Sequence, residues 1–546
     1  MQVSLHIAIL PILGVAHSGI RIRHVKCGEE KPECLRCTST GRRCDGYEDI
    51  RNDKGKTKST SKSPSPRRLS ITQGPTFNID GDAQERRGFH FFCQRTASEI
   101  SGYLPSEFWD TLLLQASHTD PAILHAVIAL GSLHEIYEEH SSRCLENGEA
   151  LDRRQFALQQ SNKAIKHLSN QLGMIAPPSG EVILICCLLF ICLETFQGDY
   201  QAALTHLNSG LRILGSMMHK DRYPALPGEM PSYHDRNFIE NTLAPLFIQL
   251  DIQASTYLNT RTVNYKLVAK DLDSAVGPPI PKAFTTLTEA QESLNNQLHF
   301  MLHYEHEAWQ RLSVAKDQGI NSILNHELPD GLLRVFLTAQ AYHRTQLERW
   351  LSALNAFLTN SSIKMGSKEL RGAVVLKIHH ITCRILLEAT LYDHETGFDE
   401  LIDEFERIVA LAETLRKIPS STPRGGIKPA YSFDMGVLPP LYYTAVRCRD
   451  PIIRRKALAL LSAAPRREGV WDSMVLAAIV RWVIGEEESD LDDVTCAEDV
   501  PLSVRIYMVE RSLRVSERRC LVKFLKGQRN EYNGLGNKYD EVWITW

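Results

Sequence analysis

From about residue 85 to residue 546, apolar side chains return at three- and four-residue spacing, the period of helices that bury one face. In QAALTHLNSGLRILGSMM, Leu204, Leu207, Leu211 and Leu214 fall on one stripe, and in RQFALQQSNKAIKHLSNQL so do Ala157, Ala164, Ile165 and Leu168. The stretch TDPAILHAVIALGSLHEIYEEH carries Asp120 at an N-cap position and Pro121 in the first turn, where its missing N–H costs nothing. Strand-like alternation closed by Asn-Gly or Asp-Gly turns is nearly absent. The pattern therefore predicts an all-α body of helices packed on helices. It shows no sustained 34-residue period, so a regular tetratricopeptide-type solenoid is not expected. The longest apolar run, Val182 to Leu193, has 12 residues. A membrane span needs about 20, so this run reads as a buried core helix and no membrane partner is expected.

Upstream of residue 85 the pattern changes three times. Residues 1–20 hold no Asp, Glu, Lys or Arg. Their apolar stretch resembles a secretory leader, but no basic residue precedes it and Pro11 interrupts it, so secretion is not the expected reading. Residues 21–47 are compact, basic and rich in cysteine. Residues 48–84 form a basic linker rich in Ser, Pro and Lys, which lacks the apolar surface to offset the entropy of ordering. Within it, Arg67-Arg68 could serve nuclear import, and Ser63 and Ser65, each before a proline, could accept phosphate; a solvated tether explains the same residues. Charge sharpens the division. Residues 21–70 carry 14 Lys+Arg against 7 Asp+Glu, whereas the whole chain is at −3. A basic head on an acidic body places any attraction for phosphates at one end.

The chain has 13 cysteines, and nine are scattered through apolar helical segments, as small hydrophobes are in a reducing compartment. The other four are spaced Cys27-x6-Cys34-x2-Cys37-x6-Cys44. A two-residue gap lets one turn present two thiolates to one tetrahedral ion, and soft sulfur ligands favour zinc. A chance cluster of solvent-facing thiols is the competing explanation, and it would be an oxidation liability.

RIRHVKCGEEKPECLRCTSTGRRCDGY resembles the last two thirds of the fungal binuclear zinc-cluster (six-cysteine) domain, whose pattern is Cys-x2-Cys-x6-Cys, a loop, then Cys-x2-Cys-x6-Cys. The resemblance implies that Cys27, Cys34, Cys37 and Cys44 are the third to sixth zinc ligands. The first two would stand at positions held by His17 and Ile20. A complete cluster holds two zincs because two of its cysteines bridge both metals. Ile20 cannot ligate, and a neutral imidazole has a single lone pair to offer. The expectation is one zinc or none, and 21–47 is a truncated DNA-binding domain. Three outcomes stay open: one zinc on four thiolates, an unstructured remnant, or an atypical extension over 1–20 that does not belong to the functional product. The resemblance also implies major-groove contacts to a GC-rich, CGG-like site from Arg21, Arg23, His24 and Lys26, since guanine offers two acceptors there. Arg36, Arg42 and Arg43 are placed on phosphates.

The body is similar to the regulatory region of fungal transcription factors in GYLPSEFWDTLLLQASHTDPAILHAVIALGSLHE, FDMGVLPPLYYTAVRCRDPIIRRKALALL and PRREGVWDS. The resemblance implies a nuclear regulator of RNA polymerase II genes, with 85–546 as its regulatory region and double-stranded DNA and co-regulators or the transcription machinery as partners. No apolar heptads follow the cysteines, so monomeric binding and homodimerisation through the body both stay open. The alternative is a helical interaction scaffold that has lost DNA binding. An enzyme is not expected, for the chain has no Walker A loop, dinucleotide fingerprint or G-x-S-x-G elbow. His299, His303 and His306 share a helical face, a spacing that more often marks a polar face than a metal site.

Overall fold

A computed structural model describes residues 79–140, 148–174, 178–218, 237–257, 261–264, 278–317, 330–361, 365–392, 394–419, 430–527 and 539–546. All lie in one unit, Pro64–Trp546. The first helix among the described residues, α1 (Ala83–Phe91), starts on a capping box. Asp82 accepts from the amides of Gln84 and Glu85, and the Glu85 carboxylate returns to the Asp82 amide. Burial would raise the Glu85 carboxyl, but bonds from Lys163 and Gln160 hold it down at about 2. The chain then widens into a π turn at Phe92–Thr96 and a last turn at Ala97–Ile100. Two further π turns, at Phe108–Leu112 and Ile239–Leu243, lead directly into α2 (Leu113–Thr119) and α7 below.

Next come α3 (Pro121–His140), α4 (Gly148–Leu172), α5 (Gly180–Gln197), α6 (Tyr200–Met218) and α7 (Ala244–Tyr257). Asp120 caps α3 as expected, accepting from the amides of Ala122 and Ile123 at 2.8 and 3.3 Å. By length and composition α5 could cross a membrane, yet 72% of it is buried within the protein. It is apolar on all sides because it lies at the centre of the first core, against α3 and α6. Cys186, Cys187 and Cys192 are buried there as free thiols, pushed well up by burial. The stripes read from the sequence also face this core: Leu207, Leu211, Leu214, Ala157, Ala164 and Leu168 are buried, with Leu204 and Ile165 packed at its margin. Where α1 crosses α3, the backbones nearly touch. A Cβ on Gly131 would lie 2.2 Å from the carbonyl oxygen of Gly88, so only glycine permits this approach.

A second group, α8 (Leu287–Asp317), α9 (Asp330–Ser361) and α10 (Ser367–Ala389), buries Trp350, Leu354 and Leu376. A third core joins α11 (Ile402–Lys417), α12 (Leu438–Arg447), α13 (Pro451–Ser462) and α14 (Ser473–Glu488) to a sheet. In that sheet β4 (Ile506–Arg514), β5 (Arg519–Lys526) and β6 (Asp540–Thr545) are antiparallel, with β5 central. A smaller sheet pairs β1 (Ala430–Ser432) parallel to β2 (Arg466–Glu468), which turns back to β3 (Trp471–Asp472). The body is thus mostly α, as expected, with strands the sequence pattern did not suggest. The reason lies in the β4–β5 turn. Its left-handed residue is Arg518, at φ 49°, where Asn-Gly or Asp-Gly would have flagged a hairpin. Alternation itself is present in β5, where Cys520, Val522 and Phe524 are buried and Arg519, Leu521 and Lys523, which alternate with them, are half-buried.

The segment from Tyr431 to Leu438 ties the three cores together. Tyr431 and Phe433 belong to the first, Met435 to the second and Leu438 to the third. Tyr431 stacks on Phe196 with centroids 3.8 Å apart, and its hydroxyl lies 3.0 Å from that of Thr195.

Candidate functional site

The residues that the sequence marks for chemistry fall in the basic head. Cys27, Cys34, Cys37 and Cys44, with Arg21, Arg23, His24, Lys26, Arg36, Arg42 and Arg43, lie outside the described residues. Sites in the body can be built from its geometry.

The three histidines of α8 do not converge. His299 is fully buried and points Nε2 at Oδ2 of Asp251, 3.1 Å away. Asp251 also pairs with Arg261 at 2.6 Å and accepts from the Asn264 amide. Burial would raise its carboxyl, but His299 and Arg261 outweigh that and hold it below the ordinary range. His306 sits at the surface against the Gln310 amide. The group therefore anchors α7 to α8, and metal binding by the three together has no geometric support.

Below Phe433 the chain passes Asp434 through a narrow gap among α7, α8 and α10. Asp434 accepts from the Gln249 amide at 2.8 Å and the Gln291 amide at 3.3 Å. Burial pushes its carboxyl up to about 6, against the pull of both amides. Beside it, His379 shares a 2.7 Å hydrogen bond with the Gly436 carbonyl, and burial lowers its pKa. The cavity these residues line, with Tyr103 and Asn295, has about 20 Å³. Such a volume takes about one water. It is a polar joint between helices, too small for an organic effector.

The segments that carry the body's resemblance serve the fold. From PRREGVWDS, the Glu468 carboxylate accepts from the amides of Gly436, Val437 and Leu438 at 2.9, 3.2 and 2.8 Å, and so caps α12. Arg466 pairs with Glu468 and covers the Tyr103 ring at 4.9 Å; Arg467 pairs with Asp472 and covers Tyr137 at 5.5 Å. From VRCRDPIIRR, Arg449 is fully buried and spans Glu395 and Glu487 at 3.0 and 2.7 Å, while Arg454 takes the other Glu487 oxygen at 2.8 Å. Each arginine fork is matched to carboxylates, the arrangement of a rigid latch.

Sequence reasoning missed one cluster, formed by Arg95, Glu99, His134 and Glu138 around the first π turn. The signal for it was the i, i+4 pair His134 and Glu138 in SLHEIYEEH, which reads as an ordinary charged helix end.

Known proteins give the arrangement its context. Residues 88–309 match the fungal specific transcription factor domain, and residues 21–54 match the fungal Zn(2)-Cys(6) binuclear cluster domain. The chain is similar to the aspercryptin biosynthesis cluster-specific transcription regulator atnN of Emericella nidulans, with 24% identity over 551 residues, 83% of this chain and 84% of that one. It is also 28% identical over 220 residues to the transcription regulator lscL of Purpureocillium lilacinum, where the match spans 39% of this chain and 52% of the other. No solved structure matches the chain.

Proposed function

We infer that this protein, a DNA-binding transcription regulator of the fungal zinc-cluster type by its two domain matches, reads DNA through residues 21–47 and is governed by its helical body. The observation that carries the reading is the pairing of a cluster match over 21–54 with a regulatory-domain match over 88–309 in one chain. Zinc is the metal of that cluster domain. By number and chemistry the donor set fits one ion: Cys27, Cys34, Cys37 and Cys44 would supply the four thiolates of a single tetrahedral shell, and zinc bound there would hold the chain in a rigid turn. With His17 and Ile20 at the remaining ligand positions, a second zinc lacks its sulfurs.

In this reading Lys26, with Arg21, Arg23 and His24, faces base edges of a GC-rich, CGG-like site, and Arg36, Arg42 and Arg43 hold phosphates. Residues 1–20 are an atypical extension, 48–84 a tether and 85–546 the regulatory region. The nucleus is the place of action, RNA polymerase II genes are the targets, and co-regulators or a second copy of the chain meet the body. Similarity to atnN along most of both chains supports a set of biosynthetic genes as target.

Band retardation on CGG-containing and scrambled duplexes tests this. Lys26→Ala is expected to cost about 1–3 kcal/mol on the CGG duplex alone, and Arg42→Ala to weaken both duplexes and flatten the salt slope by about 1. If the full chain discriminates no sequence, the interaction-scaffold reading, favoured by His17 and Ile20, takes its place.

A further inference from the structure

The cluster around the first π turn has the donor set of a metal site. The π turn carries Arg95 and Thr96 and is followed at once by Glu99; α3 supplies His134 and Glu138 one turn apart. π turns of this kind recur at functional sites. His134 is fully buried, its ring packed edge-on to Phe91 and against Phe196 and Tyr431. Its Nδ1 lies 3.0 Å from the Thr96 hydroxyl, which fixes the ring. Its Nε2 has no hydrogen-bond partner, although it is aimed at Oε2 of Glu99, 3.4 Å away, and Oε1 of Glu138, 3.9 Å away. The three donor atoms lie within 4.8 Å of one another. Tetrahedral zinc with bonds of about 2.0–2.1 Å sets its ligands about 3.3 Å apart, so small rotamer changes close the shell.

In the tautomer whose Nδ1–H donates to Thr96, the Nε2 lone pair faces two carboxylates, an arrangement that is repulsive unless a cation stands between them. The cation in place is Arg95, whose Nη2 lies 2.8 Å from both Glu99 and Glu138. Its side chain is about a third exposed, so it can leave toward solvent without unpacking the core. Two carboxylates and one guanidinium leave the cluster at −1, whereas a divalent ion in place of the guanidinium brings it to zero. Thr96 would then hold the imidazole from behind, as outer partners hold metal-bound histidines.

We propose that His134, Glu99 and Glu138 bind a zinc ion in the regulatory body, in competition with Arg95, separately from the cysteine cluster. The test uses the full-length chain with Cys27, Cys34, Cys37 and Cys44 replaced by serine, titrated calorimetrically with zinc chloride. One saturable site is expected. Glu99→Gln, which keeps the shape and removes a ligand, should weaken it about 10–100-fold or more. Arg95→Ala should tighten it, because it removes the competing cation, and zinc should raise the thermal midpoint of Arg95→Ala more than that of the parent. His134→Gln should abolish binding, with circular dichroism confirming the fold; should it unfold, the Glu99→Gln and Arg95→Ala pair decides. No saturable site, or zinc affinity unmoved by both Glu99→Gln and Arg95→Ala, overturns the proposal.

Discussion

Glu487→Ala should lower the unfolding free energy by about 3–5 kcal/mol, read from urea midpoints at neutral pH. Glu487 is 1% exposed. It binds Arg449 at 2.7 Å, Arg454 at 2.8 Å and the Ile506 amide at 2.7 Å. Truncation leaves two guanidiniums, both fully buried, short of a counter-charge and strips the first residue of β4 of its acceptor. The pH dependence has a definite sign. Burial alone would raise the Glu487 carboxyl, but Arg449 and Arg454 outweigh it and hold it below the ordinary carboxylate range. Its stabilisation is therefore fully present above the unfolded carboxylate value, about 4.3, and is lost as pH falls through the lower folded value. The gap between the parent and Glu487→Ala should be constant from pH 7 to 5 and shrink in stronger acid. A gap that grows in acid would mean that the carboxylate is not the group at work.

The second large effect concerns the cysteines. Cys34→Ser with Cys37→Ser removes the pair that one turn presents to one ion. Zinc retention by the head is expected to fail, and affinity for the CGG duplex to drop about 10³-fold or more, to the non-specific level. The body has its own three cores, so its helical circular dichroism should hold. Retardation that survives this double change would separate DNA binding from zinc.

How far the sequence carried is best seen in particular elements. Asp120 and Pro121 announced the start of α3 because an N-cap is a local device, written within four residues. The Leu207, Leu211 and Leu214 stripe of α6 was legible for the same reason: one face of one helix meets one core. In α5 no stripe could be read, since a helix buried on all sides has no polar face to set the phase. The β4–β5 hairpin escaped because Arg518 takes the left-handed turn position that Asn-Gly usually marks, and the partners of that strand lie in α14 and the far C-terminus. The cluster of Glu99, His134 and Glu138 was invisible for a further reason. Its members come from two elements brought together by a π turn, and no local pattern encodes that extra residue. The cysteine spacing, by contrast, is chemistry written in linear order, which is why the resemblance to the zinc-cluster domain could be read from it before any fold was known.

In the proposed function this chain binds DNA through a zinc-held head. The most direct test of this is retardation of a CGG duplex by the unaltered full-length protein, before and after zinc is stripped with a chelator and then returned. Loss of the complex on stripping and recovery with zinc is the predicted result; a complex that persists without zinc, or none formed with zinc present, contradicts it.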